Sequence, residues 1–373
     1  MLRYLTAGES HGKALLAILE GMPAGLKVSV DFINEELKKR QSGYGRGDRM
    51  KIESDVAEIL SGLRNNETIG SPISVLIKNT DSRIDELPRI HSPRPGHADL
   101  AGAMKYGRRD MRDILERSSA RETAARVAIG AICKMLLAEF GIDIFSHVIH
   151  IGGIDAHTSS LAISDIKKIS AASAVRCADK AAEKLICEEI DKASAEGDTL
   201  GGIFEVIITG QPVGLGSHVQ WDRKLDARLA MSVMSIQAIK GVEIGAGFAS
   251  ARRMGSKTHD EIIYKDGRFT RPTNNAGGIE GGITNGEPII VRAAMKPIST
   301  LRKPLKSVDI ITKEGTNAAV ERSDICAVPS AAVVAEGACA FDMANAIVEK
   351  FGSDSLVEIA KNYQSYIKML EKF

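Results

Sequence analysis

Apolar positions recur at helical spacing from about Asp31 to Arg40, from Ser119 to Phe140, from Asp179 to Glu196 and from about Lys224 to Lys240. That period lays one face of a helix against a core. The last three stretches run into Gly141, Gly197 and Gly241, the residue type that most readily takes the left-handed conformation closing a helix. Two further helices are predicted near the end, roughly Pro329 to Lys350 and Leu356 to Met369. Shorter apolar runs at Ile73–Lys78, Ile144–Ile151, Ile203–Thr209 and Ile289–Ala294 predict strands. Ile262 to Arg271 reads as a hairpin turning at Asp266-Gly267, whose glycine suits a primed two-residue turn. Strands and helices do not alternate regularly, so an α+β fold with mixed or antiparallel sheets is expected rather than a doubly wound parallel sheet. No low-complexity linker, charge block or internal repeat divides the chain, and a single domain spanning 1–373 is expected.

Composition narrows the function classes. The chain has 373 residues, 44% hydrophobic and 26% charged, with 49 Lys and Arg against 48 Asp and Glu. A near-zero net charge supplies no general field for polyanions, so nucleic acid is not the expected partner and any anion site must be local. The five cysteines are an odd number without a Cys-x-x-Cys pair, which argues against a disulfide framework or a zinc ribbon, and no metal site is expected. The opening Met1-Leu2-Arg3-Tyr4-Leu5 lacks signal-peptide architecture, and no apolar run of about 18 residues is evident. A cytoplasmic protein with no membrane partner is expected.

The chemistry concentrates in glycine-broken loops. In Gly8-Glu9-Ser10-His11-Gly12 the glycines allow close approach to a ligand, and an imidazole titrating near neutrality suits proton donation; a hydrogen-bonded structural histidine fits equally. Lys38 to Arg49 places five cations in twelve residues, with Arg46 between Gly45 and Gly47 and Arg49 two residues after Gly47. Guanidinium forks there suit phosphate or carboxylate, although a solvated helix end has the same composition. Arg94-Pro95-Gly96-His97 presents a second histidine from a stiff turn. Ser119 and Glu122 have capping-box spacing, so the amide groups of a helix start face the same region as Arg117, Arg121, Ser118 and Ser119, an arrangement suited to an anion. The run from Asn274 to Gly286 holds five glycines but neither a P-loop lysine nor a dinucleotide fingerprint. Asp324, in Arg322-Ser323-Asp324, is either an ion-paired residue or, in a pocket, a proton acceptor.

Taken together, Gly8–Gly12, Arg117–Thr123 and Arg322–Asp324 resemble the signatures of the chorismate synthase family, in order and spacing, and the likeness runs from Arg3 to about Gly337. The resemblance implies a β-α-β sandwich assembled as a homotetramer, and a 1,4-anti elimination of phosphate from 5-enolpyruvylshikimate 3-phosphate to give chorismate. It implies reduced FMN as a catalyst rather than a substrate, with NADPH only as a source of flavin reduction. By the same resemblance His11 protonates the leaving phosphate, His97 stands by the flavin and holds its reduced anionic state, and Asp324 accepts the proton through flavin nitrogen 5. Substrate contacts map to Ser10, Arg40, Arg46, Arg49, Arg94, Ser119, Arg121 and Arg322. Flavin contacts map to Arg40, Arg46, Arg117, Ser118, Ser119, Gln237, Ala238, Gly281, Lys296, Pro297, Ile298, Ser299, Thr300 and Arg322. Ile325 departs from the proline of many members and Gln237 from the asparagine of some, which bears on the geometry near Asp324 and on one flavin contact. Two competing readings are weaker: an RNA binder would interleave aromatic residues, and the Lys38–Arg49 cluster has only Tyr44; an NADPH-linked flavin reductase would need a cofactor module of its own.

Overall fold

Two antiparallel sheets enclose a layer of helices. The computed structural model describes residues 1–47, 54–321 and 324–373. The first sheet comprises β1 (Arg3–Ala7), β2 (Ala14–Glu20), β3 (Ala57–Ser61) and β4 (Ile73–Lys78), in the order β1-β2-β4-β3. The second comprises β5 (Asp143–Ile151), β6 (Ile154–Asp155), β7 (Gly202–Thr209), β8 (Ile239–Ile244) and β9 (Ile289–Met295), in the order β8-β9-β7-β5-β6. The helices are α1 (Val30–Gln41), α2 (Asp99–Tyr106), α3 (Arg112–Ser118), α4 (Thr123–Ala138), α5 (Ile163–Ala172), α6 (Lys180–Glu196), α7 (Leu225–Met234), α8 (Val328–Phe351) and α9 (Leu356–Leu370). Helix α4 packs on the first sheet, α8 packs on the second, and α4 and α8 pack on each other with α1 beside them. The result is an α+β sandwich, as expected.

Strand alternation drives the layering. Leu15, Ala17 and Leu19 of β2 are buried under α4, while Leu16 and Ile18 face outward. Because both faces of β2 are apolar, its period of two is invisible in the sequence. At the α4–α8 crossing a Cβ built on Gly130 would lie 2.2 Å from the Gly337 Cα, so only glycine lets the two backbones touch there. Helix α8 also corrects a sequence expectation: by length and composition it could cross a membrane, yet 89% of its apolar window is buried inside the protein.

The helices at 31–40, 179–196, 329–350 and 356–369 and the four strands form close to their expected bounds. The hairpin turns at Asp266 and Gly267, with φ of 53° and 77°. Two expectations fail locally. Ser119 accepts a hydrogen bond from Arg121 N at 3.3 Å, but this opens a 3₁₀ turn over Ala120–Glu122 rather than a capping box. Glu122 turns instead to the Thr6 hydroxyl at 2.7 Å and to Arg126 one helical turn on, a cation being a better partner than an amide. The stretch 224–240 stops being helical at Met234; residues 235–238 turn, and Ile239 onward pairs with β9, leaving Lys240 on a strand.

Helix α8 carries one buried acid with a consequence for stability. Burial pushes Asp342 up to about 7 against a weaker opposing effect of Ser232 and Arg228. Its neutral form is therefore favoured in the fold, so stability is fully present below the ordinary carboxylate range of about 4 and is lost as pH rises toward 7. Asp342→Asn is expected to raise the melting temperature at pH 8 and to change it little at pH 4; equal shifts at both pH values would refute this.

Candidate active site

Loop ends from both sheets and from the helix layer converge on a cavity of about 810 Å³. The loop after β1 brings Ser10 and His11, the end of α1 brings Arg40, and the following glycine-broken segment brings Arg46 and Gly47. The turn before α2 brings Arg94 and His97. The 3₁₀ turn before α4 supplies Ser119 and Arg121, the 236–240 and 295–300 segments form another wall, and Asp324 and the start of α8 close the cavity. Among the described residues its lining cations are Arg40, Arg46, Arg83, Arg94, Arg121, Lys240 and Lys296, against the carboxylates Asp81, Glu321 and Asp324.

Each histidine rests on a buried carboxylate. His11 Nδ1 lies 2.9 Å and 3.1 Å from the two oxygens of Glu116, which also accepts the His11 backbone N–H at 2.7 Å. Burial opposes the charge on Glu116, but hydrogen bonds from His11 outweigh it, with help from Arg112, and hold the carboxyl below its usual range. His97 Nδ1 lies 2.5 Å from Asp99, whose other oxygen accepts from Arg94 Nε at 2.8 Å and from Arg94 N at 3.1 Å. Despite full burial, Asp99 is held well below the carboxylate range by hydrogen bonds from His97 and Arg94. Gly96, with φ of 76°, makes the turn that aims His97 inward, and Lys296 Nζ donates to its carbonyl at 2.9 Å.

The arginines are held by acids too. Asp55, fully buried, accepts from Arg40 Nη2 at 2.8 Å and from Arg121 Nη1 at 2.5 Å. Its burial cost is outweighed by those two guanidinium groups, which keep its carboxyl low. Two cations on one anion leave an excess positive charge facing the cavity. Arg46 Nη1 donates to Asp324 Oδ2 at 2.5 Å, and Gly47 N to Oδ1 at 2.7 Å. Burial and the neighbouring Lys240 both lower the proton affinity of Lys296. Buried Arg40 Nε, Arg46 Nε and Gln237 Oε1 have no protein partner among the described residues, the condition of groups that await a polar ligand. Ala238, beside Gln237, holds a φ of 66°, a strained conformation for a residue with a Cβ.

Of the residues expected at the site, Ser10, His11, Arg40, Arg46, Arg94, His97, Ser118, Ser119, Arg121, Gln237, Ala238, Lys296, Ile298, Ser299, Thr300 and Asp324 all line this cavity. Arg117, Gly281 and Pro297 are not among its lining. Arg117 points back to β1, donating to the carbonyls of Gly8 at 3.0 Å and Thr6 at 2.9 Å. Gly281 belongs to a short hairpin over 279–284, where a Cβ built on it would lie 3.9 Å from the His218 Cβ. Arg49 and Arg322 lie outside the described residues. Sequence reasoning missed Asp55, Asp81, Arg83, Asp99, Glu116 and Lys240. Asp99 was signalled by standing two residues after His97 and Glu116 by adjoining Arg117, whereas nothing local marks Asp55.

An excess of guanidinium charge beside two oriented imidazoles marks an enzyme that handles a small polyanion and moves protons on it. The comparisons with known proteins make the class particular. A family model described as chorismate synthase matches residues 2–348. The chorismate synthase of Geobacter sulfurreducens is 59% identical over the whole of both chains, and chorismate synthase 2 of Bacillus cereus is 53% identical, also over the whole of both. A chorismate synthase crystal structure superposes with a TM-score of 0.83 at 44% identity, covering 100% of this chain and 99% of that one. The chain belongs to the chorismate synthase family. It is a carbon–oxygen lyase acting on phosphates, forming chorismate from 5-enolpyruvylshikimate 3-phosphate on the route to the aromatic amino acids.

Proposed function

We propose that the cavity seats 5-enolpyruvylshikimate 3-phosphate against reduced FMN and that His11, His97 and Asp324 carry the proton movements of a 1,4-anti elimination. The observation that carries this reading is the convergence of those three residues, separated by up to about 310 positions, on one basic cavity. Arg40, Arg46, Arg94 and Arg121, with Ser10 and Ser119, bind the phosphate and carboxylates of the substrate. A fold of guanidinium groups around a polyanion excludes water and fixes the leaving group. His11 Nε2 donates a proton to the departing phosphate, and Asp324 accepts a proton from the opposite side of the reaction. The Arg46 ion pair keeps Asp324 aimed into the cavity.

The residues present fit a flavin mononucleotide. A volume of about 810 Å³ lies within the range of cofactor and ligand sites, and the unpartnered Gln237 Oε1 and Arg40 and Arg46 Nε supply polar contacts for a ring edge and a phosphate. Ser118, Ser119, Gln237, Ala238, Lys296, Ile298, Ser299 and Thr300 would hold it, with His97 beside its ring. Reduced FMN, when bound, lends electron density to the breaking carbon–oxygen bond. The single domain works in the cytoplasm as a homotetramer. Supporting the assembly, the outward face of the first sheet is apolar, with Leu5 and Ile18 cross-strand neighbours that are 76% and 48% exposed. Supporting the compartment, all five cysteines are free thiols.

The test is anaerobic. Purified protein, dithionite-reduced FMN and substrate are expected to release inorganic phosphate and chorismate in equal amounts, and oxidised FMN none. Equal turnover with oxidised flavin would overturn the cofactor assignment.

A further inference from the structure

We infer that Glu116 is a positioning residue for the elimination: it fixes the His11 ring so that Nε2, and no other nitrogen, presents the transferable proton to the leaving phosphate. This rests on the reading of His11 as the proton donor. Glu116 itself does not line the cavity; its side chain is 2% exposed, against 13% for His11. It can act on substrate only through the imidazole.

One contact holds the ring and two hold the backbone that carries it. The Glu116 carboxylate takes both the Nδ1 side of the ring and the backbone N–H of His11, and the Glu116 carbonyl accepts from Ser10 N at 3.0 Å. Strand β1's exit loop is thereby locked to the last turn of α3 at both ends of one residue. A carboxylate offers only acceptors, so Nδ1 must be the protonated nitrogen, whichever charge the ring carries. Nε2 is left as the nitrogen that gains and loses the proton. It points toward Asp81 of the cavity wall, 3.9 Å away. Arg112 Nη1, 3.6 Å from Glu116 Oε1, adds to the hydrogen bonds from His11 that hold the carboxyl below its usual range. When Nε2 passes its proton to a phosphate oxygen, the ring returns to the neutral Nδ1–H form without rotating, ready to be reprotonated. Because Nδ1 keeps its proton throughout, one proton moves and Glu116 stays anionic, the role a buried carboxylate has behind a catalytic imidazole.

The test is a double-mutant cycle on Glu116→Gln and His11→Ala, using the full-length protein with reduced FMN. Glutamine has nearly the same shape but can present an amide N–H to Nδ1, favouring the wrong tautomer. Glu116→Gln is expected to lower kcat by about 10²-fold or more, with substrate KM and FMN affinity within about threefold. In the His11→Ala background the same change is expected to have no further effect. An equal loss in both backgrounds would assign Glu116 a structural role and overturn the inference, as would near-normal turnover of Glu116→Gln while His11→Ala is slow. Near-normal turnover of His11→Ala would instead overturn the proton-donor reading, and the role of Glu116 with it. Should Glu116→Gln fail to fold, judged by its thermal transition, the cycle is run with Glu116→Asp. That variant keeps the charge but draws it back, and a several-fold loss confined to the His11 background is expected.

Discussion

Asp55→Ala is expected to destabilise the protein by about 3–5 kcal/mol, the cost of leaving buried charge without its partner. Asp55 has no exposed side-chain surface and holds both Arg40 and Arg121, which are themselves 4% exposed. Without it two guanidinium groups face each other in a low-dielectric wall. They must either repel or swing into the cavity, taking the helix end at Arg40 and the 3₁₀ turn at Arg121 with them. The midpoint of guanidinium chloride unfolding, with its slope unchanged, measures the stability loss. The same variant is expected to raise substrate KM by more than about tenfold, since Asp55 is the carboxylate that both arginines share. A variant with unaltered midpoint would show that solvent or neighbouring acids replace Asp55, and the excess-charge account of the cavity would fall.

His11→Ala is expected to lower kcat by about 10²- to 10⁴-fold, the usual worth of a positioned general acid. Phosphate is a modest leaving group when fully ionised, and protonation in the transition state removes the charge that would build on it. Because His11 is held from behind by Glu116 rather than by substrate, removing it should leave substrate KM within about threefold. Anaerobic phosphate release at saturating reduced FMN is the measurement. A kcat near that of the parent would reject His11 as the donor and shift attention to the cavity cations, of which Lys296 has a lowered proton affinity.

Much of the architecture is legible in local pattern. The period of three to four in α6 and α9 and the caps at Asp179, Gly197 and Ser355 define those helices directly. The glycine-broken loops carrying His11, Arg46 and His97 are likewise visible as sites of close approach. The misreadings have physical causes. β2 is apolar on both faces, so no alternation shows. The stretch past Met234 keeps helical spacing, but hydrogen bonding to β9 is worth more to the backbone there than another helical turn. Glu122 has the spacing of a cap and is drawn off by Arg126.

The sequence by itself determined six of the helices at least in part, four of the strands and one hairpin, the α+β class, the family, and which loops would carry histidine and arginine. Periodicity and loop chemistry are properties of neighbours along the chain, and burial writes them there. The tertiary structure alone decided which acid each of those side chains would meet: Arg46 with Asp324 across 278 positions, Arg121 with Asp55 across 66, and Arg117 with β1 rather than the cavity. Charge pairing is set by how the two sheets and the helix layer dock, and an ion pair between distant segments leaves no period in the chain that forms it.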